Sequence, residues 1–292
     1  MAEEETKGEE EKKPKEEFKL SFDYFNETRL GILALIVGVI ITIAAYSPSL
    51  PALVKGIGVM LVILWGADSV RKTARYGLGT GVPSIGVLAV GFGLVGAMTG
   101  MAIGSAVYDM IGPAGILGIL IGIGLMAVIG YVSGILANGD KFINMKIPGL
   151  ERGMMELAVA GTLAIILECS IIGGTWDADT ILRQPVLGTV PPVAFVALMF
   201  IMVGFGMLQP LNSCLGADER RGRTLLMAIE IGGINCIILG LITVMTLGAV
   251  QGASLIVLGA IVWVVFYRAY VKACLEESYE VVGTGMIKTL GG

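Results

Sequence analysis

Eight apolar runs follow one another along the chain, at roughly residues 30–46, 51–67, 84–107, 113–137, 155–174, 191–209, 224–247 and 252–270, and most of the charged residues fall between them. At 1.5 Å of rise per residue, about 20 residues cross a hydrocarbon core of roughly 30 Å. The pattern therefore predicts about eight transmembrane helices, the first two short, the third and fourth long enough to tilt. Residues 30–270 form the transmembrane helical domain on this reading.

The polar ends of the chain read differently. Residues 1–19 hold eight Glu and five Lys with almost nothing apolar, too little to offset the entropy of ordering, so they are expected as a disordered cytoplasmic tail. No basic start leads at once into an apolar stretch, so a cleaved signal peptide is not expected. Residues 20–29 are expected as an interfacial amphipathic segment, because Phe18, Phe22 and Phe25 share one helical face beside Tyr24. Residues 271–292 are expected as a cytoplasmic C-terminal tail.

Charge fixes the expected orientation. The tail, the intervals near 68–83, 138–154 and 210–223, and the C-terminus together carry 18 of the 20 Lys and Arg, and Lys55 and Arg183 fall on the other side. By the positive-inside rule both termini face the cytoplasm. Composition agrees with the class: of 292 residues, 55% are hydrophobic and 15% charged, and the mean hydropathy is +0.84. This is an all-α polytopic membrane protein rather than a soluble domain, and nucleic acid is not among its expected partners. The net charge of -4 mostly reflects the acidic tail.

Glycine, 43 of the 292 residues, adds a prediction about packing. Gly96, Gly100 and Gly104 form one small-residue stripe, and Ala114, Gly118, Gly122, Gly130 and Gly134 form another in the following helix. Such stripes let helix backbones approach in lipid, either within this chain or against a partner protein. A different glycine pattern marks the segment 65–86, where Arg71, Lys72 and Arg75 precede Gly77, Gly79, Gly81 and Pro83. It reads as a basic hairpin on the membrane surface, either a plain turn or a docking surface built from Asp68, Arg71, Lys72, Arg75 and Tyr76. On the same expected face Asn212, Arg220 and Arg221 are further docking candidates. Gly66-Ala67-Asp68 with Arg71 echoes Gly216-Ala217-Asp218 with Arg221, which suggests a parallel four-plus-four duplication.

What the chain lacks limits its chemistry. It has no His, no Walker loop and no nucleophile elbow, and Cys169, Cys214, Cys236 and Cys274 are dispersed as packing residues. No catalytic residue, metal ligand or cofactor site is therefore assigned to it. The match of Gly91–Gly96 to G-x-G-x-x-G lies inside a membrane run and has no βαβ context. Polar groups within the runs are the remaining place for function. Glu168, Glu230 and Asn235 can supply oxygen ligands along a path for a hard cation such as sodium, since acids in lipid are costly. Alternatively Glu156 and Glu230 pair with the basic cytoplasmic intervals, and Glu168 sits near the outer interface.

The motifs W-G-A-D at 65–68, Y-G-L-G-T-G-V-P-S-I-G at 76–86, K-I-P-G-L-E at 146–151 and Q-P-L-N-S-C-L-G at 209–216 carry a resemblance. The chain resembles the C subunit of the archaeal tetrahydromethanopterin S-methyltransferase from about residue 30 to 270, with the acidic tail an addition to the family pattern. The resemblance implies a multisubunit complex of the archaeal cell membrane. That complex moves a methyl group from methyl-tetrahydromethanopterin to coenzyme M through a corrinoid on a different polypeptide, and couples the transfer to sodium export. Implied partners are the membrane-embedded D and E subunits, the corrinoid-bearing A subunit, and membrane lipids. Two other readings stay open: a stand-alone sodium-coupled transporter, and a purely structural membrane scaffold.

Overall fold

The computed structural model describes residues 28–74, 81–106, 114–176, 191–213 and 222–283. These form eight α-helices: α1 (Thr28–Ala44), α2 (Ala52–Ala74), α3 (Gly81–Ala106), α4 (Ala114–Asn138), α5 (Leu150–Gly173), α6 (Val196–Ser213), α7 (Arg223–Thr246) and α8 (Ala249–Gly283). A single turn of 3-10 helix, Pro192–Phe195, leads into α6, and no strand occurs among the described residues. Each apolar run of the sequence corresponds to one helix. The protein is an all-α chain in which six helices are long and apolar enough to cross a membrane, and α1 and α6 are the shorter apolar ones.

Two boundaries differ from those the hydropathy pattern predicts. The second run is not short: α2 continues through Asp68, Arg71 and Lys72 to Ala74, because the charges expected to end it neutralise one another inside the bundle. The basic hairpin therefore begins no earlier than residue 75. Residues 75–80 lie outside the described residues, and Pro83 falls in the first turn of α3, where its missing N–H breaks no helical bond. At the other end of the chain, α8 has 35 residues, about 52 Å of helix, and runs well into the segment expected as a tail. Residues 1–27, including Phe18, Phe22 and Phe25, lie outside the described residues.

The bundle is organised around α5. Of its membrane-length window, 94% is buried inside the chain, against 17% for α8. Helices α2, α3 and α4 enclose α5, which also meets α1, α6 and α7, while α8 packs chiefly along α7. In a four-plus-four arrangement α1 and α5 would be equivalent, and the structure gives them unequal places, one at the edge and one at the centre.

Glycine permits the closest contacts. Inside the chain the α3 and α4 stripes face each other: a β-carbon on Gly122 would stand 2.9 Å from the carbonyl oxygen of Gly96. Lower on α4 the stripe turns to α5, where a β-carbon on Gly130 would stand 2.8 Å from the carbonyl oxygen of Met154, and Gly134 lies against Glu151. Gly104 is buried in α3. A second seam joins α7 to α8 through Gly233, Gly240, Gly252 and Gly259. The turn between α4 and α5 is held by Asn138, whose amide donates to the carbonyl of Ile147 (2.8 Å) and to Glu151 Oε1 (2.8 Å) and accepts from the Ile147 N–H (2.9 Å). Gly149 then starts α5 at φ 74°, a left-handed conformation open to glycine.

Candidate functional site

Glu168 sits on α5, little more than a turn before its end, and is wholly buried. Neither carboxylate oxygen has a hydrogen-bond partner among the described residues. The residues on either side of it face neighbouring helices, Leu167 towards Gly58 of α2 and Cys169 towards α6, while α7 brings Cys236 against α2. The Cys236 thiol in turn lies 3.5 Å from the Gly56 carbonyl oxygen of α2, and Cys169 Sγ is 3.4 Å from Met199 Sδ of α6. Around Glu168, α5 thus packs on α2 and α6, and the same helix also meets α7. An acid buried without compensation costs several kcal/mol, roughly 2.5–3.5 on insertion scales, and marks an ion or proton pathway more often than a packing position. Wherever it lies in depth, the residue is enclosed by the chain's own helices rather than open to a surface.

Lys55 is one of the two basic residues on the side where positive charge is sparse, and its place in the sequence gives it no role. It is only 1% exposed, one turn into α2. Its ammonium donates to the carbonyl of Gly174 at 2.6 Å and to that of Ser170 at 3.2 Å. These carbonyls belong to the last turn of α5, which has no intrahelical donor left for them, and a cation there also meets the negative end of the helix dipole. One buried cation and one buried carboxylate therefore share the final turns of α5.

The other two expected ion-path residues are placed differently. Asn235 is buried on α7 and donates to the Met202 carbonyl of α6 at 3.0 Å, so its amide ties these two helices together beside Cys236. Glu230 is partly buried and turned to α8, where it meets the Trp263 indole. It does not pair with a basic interval among the described residues. Glu156 does find a cation, Arg152 of the basic interval 138–154, one turn back on its own helix, with Arg152 Nε 2.6 Å from Glu156 Oε1.

At the opposite end of the bundle an ionic cluster joins α1, α2 and α5. Asp68 accepts from Arg71 at 2.9 Å and also pairs with Lys72, and its side chain is 2% exposed. A β-carbon on Gly31 of α1 would stand 2.5 Å from this carboxylate. Ser69 Oγ donates to the Gly153 carbonyl of α5 at 3.4 Å. Among the residues expected to dock partners, Asp68 and Arg71 are interior and Lys72 is partly exposed. Arg75, Tyr76, Arg220 and Arg221 lie outside the described residues, as does the side chain of Asn212 on α6. Among the described residues, no group of three or more His, Cys, Asp or Glu is placed to hold a metal ion.

Comparison with known proteins bears on this geometry. The sequence model of the family described as the C subunit of tetrahydromethanopterin S-methyltransferase matches residues 16–289, which leaves most of the acidic tail outside it. The chain is similar to the C subunit of tetrahydromethanopterin S-methyltransferase from Methanosarcina mazei, 38% identical over 258 residues, covering 88% of this chain and 90% of the relative. The protein of the same name from Methanothermobacter thermautotrophicus is 34% identical over 262 residues, 89% of this chain and 92% of the relative. That from Methanococcus maripaludis is 32% identical over 252 residues, with coverages of 86% and 88%.

Proposed function

Because this chain belongs to the family of tetrahydromethanopterin S-methyltransferase C subunits, we propose that it is a non-catalytic membrane component that helps form the sodium-translocating part of that complex. The methyl group passes from methyl-tetrahydromethanopterin to coenzyme M through a corrinoid held by the A subunit. This chain, with no imidazole to ligate a corrinoid or a zinc ion, contributes the membrane path and docks the D and E subunits. Both termini and the ionic end of the bundle face the cytoplasm on this reading, which puts the Lys55 end of α2 at the outer side.

The observation that carries the ion path is Glu168, a wholly buried carboxylate on the central helix with both oxygens free of protein partners among the described residues. Asn235 has its amide committed to Met202 and supports that junction structurally. Glu230, which is turned to α8, serves as an entry group from the cytoplasmic side. Docking then falls to exposed groups at the same end, Lys72 and Arg152 among the described residues, together with Arg75, Tyr76, Asn212, Arg220 and Arg221.

Mild-detergent purification on a C-terminal tag tests the assignment to the complex. A corrinoid absorption spectrum with several co-purifying subunits is expected, and a lone colourless chain under the gentlest conditions would remove the assignment. For the ion path, Glu168→Gln in the assembled complex is expected to abolish sodium stimulation of methyl transfer. Unchanged sodium dependence would leave the chain a scaffold.

A further inference from the structure

The turn between α4 and α5, residues 139–149, faces two ways. Met145 packs against the core and Ile147 is buried, and the Asn138 amide clamps this side of the turn to the end of α4. Phe142 and Ile143 are turned outward, 67% and 70% exposed. The backbone between the two sets is fixed: the Phe142 N–H donates to the Gly139 carbonyl at 3.0 Å and the Met145 N–H to that of Ala137 at 3.0 Å, while Asn144 and Lys146 take left-handed φ of 55° and 53°. Residues other than glycine adopt that conformation seldom, and it persists where the surroundings over-determine it. Two adjacent bulky apolar side chains are therefore held outward by a rigid turn, a costly arrangement if water were their only neighbour.

The depth of this pair follows from α4. Its apolar span, Gly115–Asn138, has 24 residues, about 36 Å of helix, against roughly 30 Å of hydrocarbon and about 40–45 Å with the headgroups included. Centred in a bilayer, the helix ends about 3 Å beyond the hydrocarbon, so the turn emerges within the headgroup layer. Exposed Val128, Val132 and Ile135 line one face of α4, and Gly139 comes next on that face by the same spacing. The Phe142 ring folds back onto it, with its Cδ2 3.4 Å from where a β-carbon on Gly139 would stand. The exposed apolar face of α4 thus continues past the helix end into Phe142 and Ile143, flanked by exposed Lys141 and Lys146.

We propose that this turn is an interfacial lipid anchor. Phe142 and Ile143 dip into the boundary between headgroups and hydrocarbon, and Lys141 and Lys146 take the phosphates of anionic lipids beside them. An apolar pair flanked by basic side chains at this depth is what the membrane interface favours. A lipid surface fits better than a protein groove because the pair lies at headgroup level and extends a face already exposed along the helix beneath it. The anchor holds for either orientation of the bundle, since both leaflets present the same boundary. Its effect reaches the bundle centre: Asn138 ties the turn to Ile147 and Glu151, so fixing the turn at the interface fixes the depth at which α5 begins.

The test uses the assembled complex in bilayers of phosphatidylcholine and phosphatidylglycerol, with the photoreactive p-benzoylphenylalanine in place of Phe142 and, separately, of Ile143. A third probe in place of Val128, midway along α4, gives the yield of lipid adduct in the hydrocarbon. On irradiation the probe's ketone carbon bonds to a nearby carbon and takes up its hydrogen, and mass spectrometry identifies what is attached. Lipid adducts are expected at 142 and 143, with phosphatidylglycerol enriched over its bulk share by about five-fold, the effect of one net positive charge near a lipid surface. That charge is Lys141 and Lys146 against Asp140, and the double variant Lys141→Gln, Lys146→Gln is expected to return the ratio to bulk or below. Adducts to another polypeptide at 142 and 143 overturn the anchor and make the turn a protein-docking surface. Absence of lipid adducts at both positions, with lipid adducts at 128, overturns it as well and leaves the pair in water. Lipid adducts at the bulk ratio with and without the lysines overturn the phosphate contacts. Should the probe at 142 prevent assembly, the probe at 143 decides.

Discussion

Gly100 and Gly118 pack backbone against backbone: a β-carbon on Gly118 would stand 3.0 Å from the carbonyl oxygen of Gly100 and 3.4 Å from the Cα of Met101. Neither neighbour is a side chain that can swing away. Gly118→Val is therefore expected to push α4 off α3 and lower stability by about 1–3 kcal/mol, the usual range for overpacking a close seam. Gly124, on the same helix, has nothing within 4 Å of its β-carbon position, and Gly124→Ala should be neutral or slightly stabilising. Thermal midpoints of the two variants in one detergent measure the contrast.

Asp68 and Arg71 supply a second contrast. Asp68→Asn removes the carboxylate that pairs with Arg71, 3% exposed, and with Lys72, and a broken buried pair costs about 3–5 kcal/mol. The pair Arg152–Glu156 is 67% exposed at its arginine, so Arg152→Ala should cost under about 1 kcal/mol. Yield of folded protein and thermal midpoint check both. Equal losses would mean that Asp68 does not anchor α1 to α2.

Glu168→Gln should behave unlike Asp68→Asn. Since no hydrogen bond to a described residue is lost, removing its charge is expected to leave the thermal midpoint unchanged or raised, while the response of methyl transfer to sodium disappears. A clear fall in the midpoint would show that the carboxylate is held by a partner.

Asn138 imitates a piece of backbone for the turn between α4 and α5, satisfying Ile147 through both its N–H and its carbonyl and reaching Glu151 as well. Asn138→Ala should cost about 1–3 kcal/mol for these neutral and charge-assisted bonds. Limited proteolysis is the informative measurement, with cleavage expected to rise between residues 139 and 149.

Much of this arrangement is legible in the sequence because lipid imposes a simple rule, that a helix must be apolar along its length. Each of the eight runs is a helix, and the stripes at Gly96 and Gly118 do meet. Where the rule bends, the pattern misleads. It ends α2 too early because Asp68, Arg71 and Lys72 look like a loop until their mutual pairing is seen. Lys55 looks like a surface charge because its partners are backbone carbonyls more than a hundred residues away, which no side-chain pattern announces. The α7–α8 seam is hard to see because Gly233 and Gly240, like Gly252 and Gly259, recur at seven residues rather than four. The burial of Glu168 depends on α5 being central, and a run of apolar residues does not say how many neighbours it has.

That α7–α8 seam also sets how the hairpin can bear load. A β-carbon on Gly240 would stand 2.8 Å from the Gly252 carbonyl oxygen, and one on Gly233 would stand 2.9 Å from that of Gly259. Backbones so close cannot slide past each other without riding up over one another's carbonyls. In mechanical terms the two helices are one stiff beam. Its lever arm is the end of α8 that outruns α7, and its fulcrum side carries Cys236 against Gly56. A force applied to that arm is delivered to α2 where Cys236 meets Gly56.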